Sequence, residues 1–526
     1  MTNLLTQPLF SVAPLGALTL PGVMAALARD EADGFPALRP HQGMFWHMFL
    51  VQLGALALHG AGTADIPEDE ESWRDLLRRL TANFPGDEPW QLVVEDWTKP
   101  AFLQAPVPKG LELKNDVPTP DALDLLITSK NHDLKQAVAW AGGAEDWVFA
   151  LLALQTGEGY GGAGNQGIVR MNGGSSSRPM LTLAPAAAAP GRAQSPRPGL
   201  WFRRDVRVLL ETRSGREVLD FPERGGRGLV WLAPWGEDDQ LQARELDVWF
   251  IEICRRVRLT QANGRIGAVK GTSKATRIDG KQFKGNVGDP WAPVHKVECK
   301  AFTLGDEGDF GFDKLVDLLF SGTWDLPLLA RPARFETPET PLTVVAQALA
   351  RGNSKTGGFK SRALPLSGKI ALALWSPDQR KALHELAKAQ VEEIASFDKA
   401  LSYALVLAVA GGERAKISPR ESYAYAQSAR DHLDRCADAM FFASLWRRYE
   451  AADDAARDSV RSDFIRDLWA RTREIFEDAL PAMPCASLFR PRAEAAASSA
   501  LTASVMKSYS DCLKPPKTME MAHDAT

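Results

Sequence analysis

The part of the chain from Ser376 onward constrains the fold most, because it is a nearly uninterrupted succession of helical patterns with few prolines. Ser376 is followed by Pro377, and the same Ser-Pro pair recurs at 418–419. A serine N-cap followed by proline in the first helical position is a common start of a helix. Amphipathic segments with short connections then cover 376–411, 418–452, 456–480 and 490–513. This pattern predicts an antiparallel four-helix bundle over residues 371–526.

The preceding residues have a different character, with short strand-like pieces and helices separated by many glycines and prolines. A chain of 526 residues also exceeds one ordinary hydrophobic core. We therefore predict the α+β class, with a large mixed α/β N-terminal domain over 1–370 and the bundle over 371–526. The apolar run Met44–Leu58 predicts a buried helix, since it is shorter than the roughly 20 residues that cross a bilayer.

The segment RGNSKTGGFKSR, 351–362, carries four positive side chains and no acid, although the net charge of the chain is -4. Just before it, apolar residues with helical spacing predict a helix that ends at a left-handed Gly352; they are Leu342, Val345, Ala346 and Leu349. Composition leaves two uses of this segment open. It is either a solvated linker or a loop whose glycine amides, together with Arg351, Lys355, Lys360 and Arg362, meet phosphates.

Residues 157–174 form a second unusual segment, in which eight of eighteen residues are glycine. Gly159, Gly161 and Gly164 formally fit a dinucleotide-binding GxGxxG pattern. The residues that follow do not begin a helix, so the pattern lacks the N-terminus that would hold a pyrophosphate. Two interpretations remain: a turn packed closely on neighbouring backbone, or a backbone that approaches a DNA minor groove.

Positive charge is concentrated again in 254–284, where nine lysines and arginines accompany the single acid Asp279. Local positive charge in an otherwise acidic chain is typical of a protein that grips a polyanion at chosen places.

Sequence patterns for catalysis are weak. The segment TSKNHDLK, 128–135, contains His132 beside polar residues and allows a nuclease hypothesis, but no metal-spaced cluster of histidines and acids accompanies it. The five cysteines are scattered without a CxxC pair, which favours a reducing cytoplasm and no structural zinc. No secretory signal is visible at the N-terminus. We predict a cytoplasmic, non-enzymatic protein with no metal, no cofactor and no membrane contact.

Taken in order, five motifs resemble the CasA-type large subunit of the type I-E CRISPR surveillance complex Cascade; they are NLLTQPLFSV, LLITSKNHDLK, GYGGAGNQG, DGKQFKGNVGDPWAPV and RGNSKTGGFKSR. The resemblance covers nearly the whole chain. It implies that family's architecture, a larger mixed domain followed by a four-helix bundle.

The resemblance also implies a function for each basic or glycine-rich segment. In that family, the large subunit reads the protospacer-adjacent motif (PAM) of double-stranded DNA from the minor groove and wedges the duplex open. The residues that match its DNA-contacting elements are Gly159, Gly161 and Gly162 in the glycine loop, Lys281 and Lys284 in the lysine finger, and Asn353, Ser354, Lys355 and Thr356 in the wedge. Lys130, Asn131 and His132 match a loop near the 5′ end of the CRISPR RNA.

The partners that the resemblance implies are the CRISPR RNA, the target DNA, the backbone, 5′-end-capping and small subunits, and a helicase-nuclease that cuts the DNA. For the displaced strand, basic residues of the bundle are candidates; they are Arg414, Lys416, Arg420, Arg447 and Arg448. The best-known members carry glutamine at the wedge tip, which is absent from 353–356 here. A metal-dependent nuclease and an assembly scaffold without DNA reading remain the alternatives.

Overall fold

The computed structural model describes residues 2–124, 142–171, 173–186, 196–213, 219–337, 339–352, 355–417 and 422–513. The chain divides into two compact units. The first comprises 1–310 and 322–375, and the second comprises 311–321 and 376–526. Helices and strands mix in the first unit and the second is helical, which confirms the predicted α+β class.

The helices of the first unit are α1 (Leu20–Ala28), α2 (Gln42–Ala61), α3 (Glu70–Leu80), α4 (Ala144–Gly157), α5 (Pro198–Glu211) and α7 (Gly368–Ala373). Helix α2 is long and apolar enough to cross a membrane by length and composition, but most of it is buried inside this unit. Its Gln52 amide donates to the carbonyl oxygens of Trp249 (3.1 Å) and Phe250 (2.7 Å). The prediction of a buried helix over 44–58 is therefore confirmed, and α2 is a core helix around which the unit packs.

The strands of the first unit are β1 (Phe10–Val12), β2 (Gly16–Leu18), β3 (Asn115–Val117), β4 (Met180–Pro185), β5 (Arg227–Leu229), β6 (Leu246–Ile251), β7 (Arg256–Ala262), β8 (Arg265–Gly271), β9 (Val294–His295), β10 (Trp324–Asp325), β11 (Leu342–Gly352) and β12 (Lys355–Leu366). They form small sheets. Two have three strands, in the orders β12-β11-β4 and β3-β8-β7, with antiparallel neighbours. The longest strands, β11 and β12, make one hairpin.

The helix predicted before the basic segment is wrong, because 342–352 is the central strand β11. Most residues of β11 are buried, and the buried residues include those on both faces of the sheet. A strand that is buried on both faces has a continuous apolar sequence. Within such a sequence, some apolar residues have the spacing of a helix by chance. The β-branched residues Thr343, Val344 and Val345 favour the strand. Gly352 is consequently no helix cap, and it pairs with Lys355 across the hairpin.

The second unit contains α6 (Phe312–Phe320), α8 (Pro377–Val409), α9 (Ser422–Tyr425), α10 (Gln427–Glu450), α11 (Asp454–Ala479) and α12 (Arg490–Leu513). Ser376 caps α8, as predicted, because its hydroxyl oxygen accepts a hydrogen bond from the Gln379 backbone amide (3.5 Å). Contacts between α8 and α10 run in opposite directions along the two helices: Asp398 pairs with Arg430, and Glu393 with Arg448. The four long helices thus form the predicted antiparallel bundle.

Candidate nucleic-acid interface

The glycine-rich segment begins where α4 ends and folds back on its own continuation. The amides of Gly159 and Tyr160 donate to the carbonyl oxygens of Ser176 and Gly174, each at 3.0 Å. A Cβ atom on Gly159 would lie 2.3 Å from the Ser176 oxygen, so only glycine fits there. At this position, the requirement for glycine comes from internal packing.

The outer part of the loop has a different reason for its glycines. The Gly161 amide donates to the Asn165 carbonyl oxygen (2.9 Å), and the Asn165 amide donates to the Gly162 carbonyl oxygen (3.0 Å). Gly162 has a φ of +103°, which side chains rarely tolerate, and a Cβ there would meet nothing within 4 Å. Gly161 is exposed. We call residues 159–164 the glycine loop; its Gly161–Gly162 tip presents bare backbone to the surface.

Glu158, immediately before the glycine loop, forms ion pairs with two arginines. Its Oε2 pairs with Arg255 (3.0 Å) and its Oε1 with Arg351 (3.2 Å), which lies in β11 near the hairpin tip. Arg255 also donates to the Gly159 carbonyl oxygen (3.1 Å). All three charged side chains are largely buried, so the pairs are shielded from solvent. We call residues 351–352 and 355–357, which lie just below the 353–354 connection, the hairpin root. Glu158 therefore links the start of the glycine loop to the hairpin root.

Just below its tip, the hairpin packs closely on neighbouring backbone. A β-bulge between Ala350 and Arg351 leaves Gly357 as an extra residue on β12. A Cβ on Gly357 would lie 1.9 Å from the Asp306 carbonyl oxygen, so the strand packs directly on that backbone. Arg351 then pairs with Thr356, and Gly352 with Lys355.

The predicted wedge residues are only partly described. Asn353 and Ser354, which connect β11 to β12, lie outside the described residues, and of Lys355 only the backbone is described. The Thr356 hydroxyl is buried, and no hydrogen-bond partner for it occurs among the residues that the structure describes. The predicted crRNA-end residues Lys130, Asn131 and His132 also lie outside the described ranges.

The two predicted lysine-finger residues occupy different places on one turn. Lys281 begins a short 3-10 turn, and Lys284 ends it with a φ of +49°. Both side chains are exposed, and neither makes an ion pair within the described part of the chain. Lys281 lines an open groove together with Tyr160 of the glycine loop, whereas Lys284 does not line it.

Much of the positive charge in 254–284 is used inside the protein. Four of its arginines are buried; they are Arg255, Arg256, Arg258 and Arg277. They donate to backbone carbonyl oxygens, as Arg258 does to Lys99 (3.0 Å) and Val94 (3.2 Å). Burial lowers the pKa of Arg258 to about 10, which leaves it charged at neutral pH. The prediction of a polyanion-gripping surface therefore applies only to the exposed lysines and Arg265.

Four buried charged residues tie the glycine-rich segment to the GDPW motif. Arg178 donates two hydrogen bonds to Asp289, at 2.6 and 2.9 Å. Arg170 lies 3.6 Å from Glu252 and 3.7 Å from Asp289. Burial raises the pKa of Glu252 to about 7 and, together with the charge of Arg178, lowers that of Arg170 to about 10. Burial is the largest influence on the pKa of Asp289 and would raise it, but the charge and hydrogen bonds of Arg178, the charge of Arg170 and the Trp291 amide together lower this pKa.

Other candidates from the sequence are engaged elsewhere. Arg448 is buried against Glu393 (2.8 Å), so it is not available to a displaced strand. Lys416 pairs with Glu413 (2.9 Å) and Arg447 with Asp463 (3.3 Å) on the exposed surface. Arg414 is exposed, and Arg420 lies outside the described residues. No group of three potential metal ligands occurs within the ranges described.

Sequence reasoning missed Glu158 and Tyr160, and it was wrong to offer Arg351 to phosphates, because this side chain is largely buried in an ion pair with Glu158. Glu158 and Arg351 are separated by 193 positions, and nothing in the local pattern pairs them. Tyr160 could have been found from the sequence, because a large aromatic residue between two glycines is unusual in an exposed loop.

Comparisons with known proteins identify the fold. No protein-family model and no curated sequence matches the chain. Solved structures do match, including Cse1, a CRISPR-associated protein, from Acidimicrobium ferrooxidans, with a TM-score of 0.65 and 15% identity over 97% of this chain and 98% of that one. Cse1 from Thermobifida fusca gives a TM-score of 0.63 at 14% identity, covering 96% and 98% of the two chains. CasA (Cse1) from Thermus thermophilus gives 0.60 at 15% identity, covering 96% and 99%. The chain therefore has the CasA (Cse1) fold over nearly its whole length, as the sequence resemblance predicted.

Proposed function

We propose that this protein is the non-catalytic large subunit of a type I-E Cascade complex, and that it reads the PAM of double-stranded DNA and starts opening the duplex. The proposal rests on the shared fold and on the sequence motifs. One observation carries it: Glu158 binds both Arg255 beside the glycine loop and Arg351 at the hairpin root. Two elements that must touch the same few base pairs are thereby held in a fixed relation.

The chemistry of the exposed surface suits a minor groove. The Gly161–Gly162 tip presents backbone without side chains, which a narrow groove can admit. The minor groove distinguishes A·T from G·C pairs but little else, so a backbone reader accepts several related motifs. Lys281 supplies an exposed positive charge next to this tip for a phosphate.

The β11–β12 hairpin is suited to act as the wedge. Its root is fixed by Gly357 against Asp306 and by the Arg351–Glu158 pair, so force on the tip is transmitted to the body of the unit. Unstacking a base step costs a few kcal/mol. In an RNA-guided complex, this cost is offset by phosphate contacts and by pairing of the guide RNA with the freed strand.

The same proposal assigns the partners. The protein works in the cytoplasm with CRISPR RNA and the backbone, 5′-end-capping and small subunits, and a separate helicase-nuclease cuts the DNA after the RNA has paired. Lys130, Asn131 and His132 are proposed to lie near the RNA 5′ end. Asn353, Ser354, Lys355 and Thr356 are proposed as the wedge, with Lys281 rather than Lys284 as the lysine finger because it borders the glycine loop.

Binding of the reconstituted complex to duplexes with a randomised PAM tests this function. We expect Gly161→Asp and Lys355→Ala/Thr356→Ala to lose PAM-selective duplex binding while they still bind a complementary single strand. Lys281→Ala should lower the salt dependence of binding by about one phosphate contact. Gly34→Asp and Lys109→Ala control for the change of charge, since Gly34 has open space around its Cβ position and Lys109 is exposed away from the groove. Retained binding of Gly161→Asp to the single strand shows that a carboxylate beside Arg255 has not unfolded the protein. Unchanged selectivity in all site variants would leave an assembly scaffold as the function.

A further inference from the structure

The groove that Tyr160 shares with Lys281 has a construction of its own. It is open on one side, has a volume of about 360 Å³ and lies entirely within the first unit. Its floor is apolar and buried, formed by Ile168, Val169 and Ile278. Its rim carries Tyr160 and the exposed cation Lys281. We call this the Tyr160 groove.

The backbone that carries Tyr160 is held on both sides. The Tyr160 amide donates to the Gly174 carbonyl oxygen (3.0 Å), Gly159 is closely packed on Ser176, and the Gly161 amide donates to the Asn165 carbonyl oxygen (2.9 Å). Yet 42% of Tyr160 is exposed, which is unusual for a large aromatic residue in a well-packed loop. An exposed ring on a fixed backbone is a preformed surface for a flat partner.

The polar groups of the groove indicate an anionic partner. Lys281 and Lys274 both border it and are exposed. Among the described residues, Lys274 pairs with Glu237 at 3.8 Å, and both side chains are exposed, so this ion pair contributes little. Gln166 closes one end, since its amide donates to the Lys274 carbonyl oxygen (3.3 Å). The result is an apolar floor and an aromatic ring beside two cations.

We propose that the Tyr160 groove holds a single unpaired nucleotide of opened DNA, with its base against the Tyr160 ring and its phosphate near Lys281. Stacking on aromatic side chains combined with backbone phosphate contacts is the usual way to bind single-stranded nucleic acid. The volume lies near the lower end of the roughly 300–1,000 Å³ typical of small-ligand sites, which suits one nucleotide rather than a base pair. A nucleotide captured there cannot restack, so the groove stabilises the duplex opening that the proposed function begins.

This inference rests on the proposed function but is tested separately from it. Duplexes with a correct PAM carry 2-aminopurine, whose fluorescence rises on unstacking and is quenched by an aromatic ring, at successive positions beside the PAM. At the positions that the reconstituted complex unpairs, we expect the fluorescence to rise except at one, which stays quenched. Tyr160→Ala should abolish that quenching and weaken binding to a pre-opened duplex about tenfold, close to the loss of one base stack. Tyr160→Phe should keep both properties.

Three further measurements decide between stacking and its rivals. Tyr160→Leu keeps the bulk without the ring, so if it behaves like the wild type, packing is the role of Tyr160 and the inference fails. Tyr425→Ala, at an exposed tyrosine of the second unit, should change nothing. The same sequence as RNA should give no quenching, and stronger quenching by RNA would assign the groove to RNA instead. If PAM selectivity is normal but no variant alters the fluorescence, only the groove assignment falls; if PAM selectivity is absent in the wild type, the proposed function falls.

Discussion

The most unusual residue of the buried charge cluster is Glu252. Its Oε1 accepts from the Val169 amide (2.6 Å), but its Oε2 has no hydrogen-bond partner among the described residues. Arg170 approaches it only to 3.6 Å. Ionisation of a buried carboxyl group with one unsatisfied oxygen is unfavourable, because the charge is removed from water. Burial accordingly raises the pKa of Glu252 to about 7.

This pKa predicts that part of the stability depends on pH. Between pH 4.5 and about 7, Glu252 loses its proton in the unfolded chain but keeps it in the folded protein. The folded state then binds more protons, so stability falls as pH rises and is constant above about pH 7. At about 1.4 kcal/mol for each pH unit between the two pKa values, the loss is roughly 3 kcal/mol.

Chemical denaturation of wild type and Glu252→Gln, from pH 4.5 to pH 8, measures this effect. We expect the wild type to lose stability relative to Glu252→Gln across that interval, because glutamine retains the oxygen that faces Val169 but does not ionise. Asp289 does not disturb the comparison, since its lowered pKa keeps it ionised throughout. A difference between the two proteins that is independent of pH would contradict the raised pKa.

At the scale of single residues, the sequence indicated where charge is concentrated but not how it is used. The nine basic residues of 254–284 suggested one surface, whereas four of the arginines bind internal carbonyl oxygens. Burial of an arginine depends on which distant backbone segments surround it, and this information is not local. The glycine positions were more predictable, because tight turns and close packing require glycine wherever they occur.

Among the elements, the β11–β12 hairpin and the glycine loop form the functional pair. The sequence predicted both loops as features of a DNA-binding surface but assigned a helix to β11. The error arose because β11 is buried on both faces, and such a strand has no alternation of polar and apolar residues. Sheet neighbours far away in sequence therefore decided the structure of this segment.

The contact between these two elements predicts a coupling. Arg351→Ala removes the ion pair from the hairpin root to Glu158, while Glu158 keeps its pair with Arg255. We expect faster hydrogen exchange at the Gly161 amide, which bonds to Asn165 (2.9 Å), and weaker PAM selectivity, with duplex affinity for unrelated sequences unchanged. Hydrogen exchange followed by mass spectrometry measures the first effect.

A matched control separates this coupling from a general loss of charge. Arg207→Ala removes an exposed arginine that pairs with Glu211 one helical turn away, so it should alter neither exchange at Gly161 nor selectivity. If Arg351→Ala leaves the exchange of the glycine loop at the wild-type rate, the hairpin and the loop are independent elements.

On the scale of the whole molecule, the bundle was the more predictable unit. Ser376 and Pro377 correctly placed the start of α8, and helical periodicity with short connections placed α11 and α12. The second Ser-Pro pair, 418–419, lies outside the described residues, and α10 begins later than predicted, at Gln427. No sequence pattern indicated that 311–321, which lies far earlier in the chain, packs with these helices. Short insertions of this kind are joined to a unit by a few tertiary contacts, which no periodicity records.

Those contacts lead to a prediction for the second unit. Phe312 is 6% exposed and stacks on Phe441 of α10 with ring centroids 4.8 Å apart, and its amide donates to Asp438 (2.8 Å). Truncating a buried phenylalanine leaves a cavity, so Phe312→Ala should destabilise this unit by about 3–5 kcal/mol. Hydrogen exchange should accelerate at the amides of α10, while those of α2 in the first unit keep their protection. Phe489→Ala, at a phenylalanine that is 39% exposed, is the control and should cost much less. Equal acceleration in α2 and α10 would mean that the two units unfold as one, and that 311–321 is not specific to the bundle.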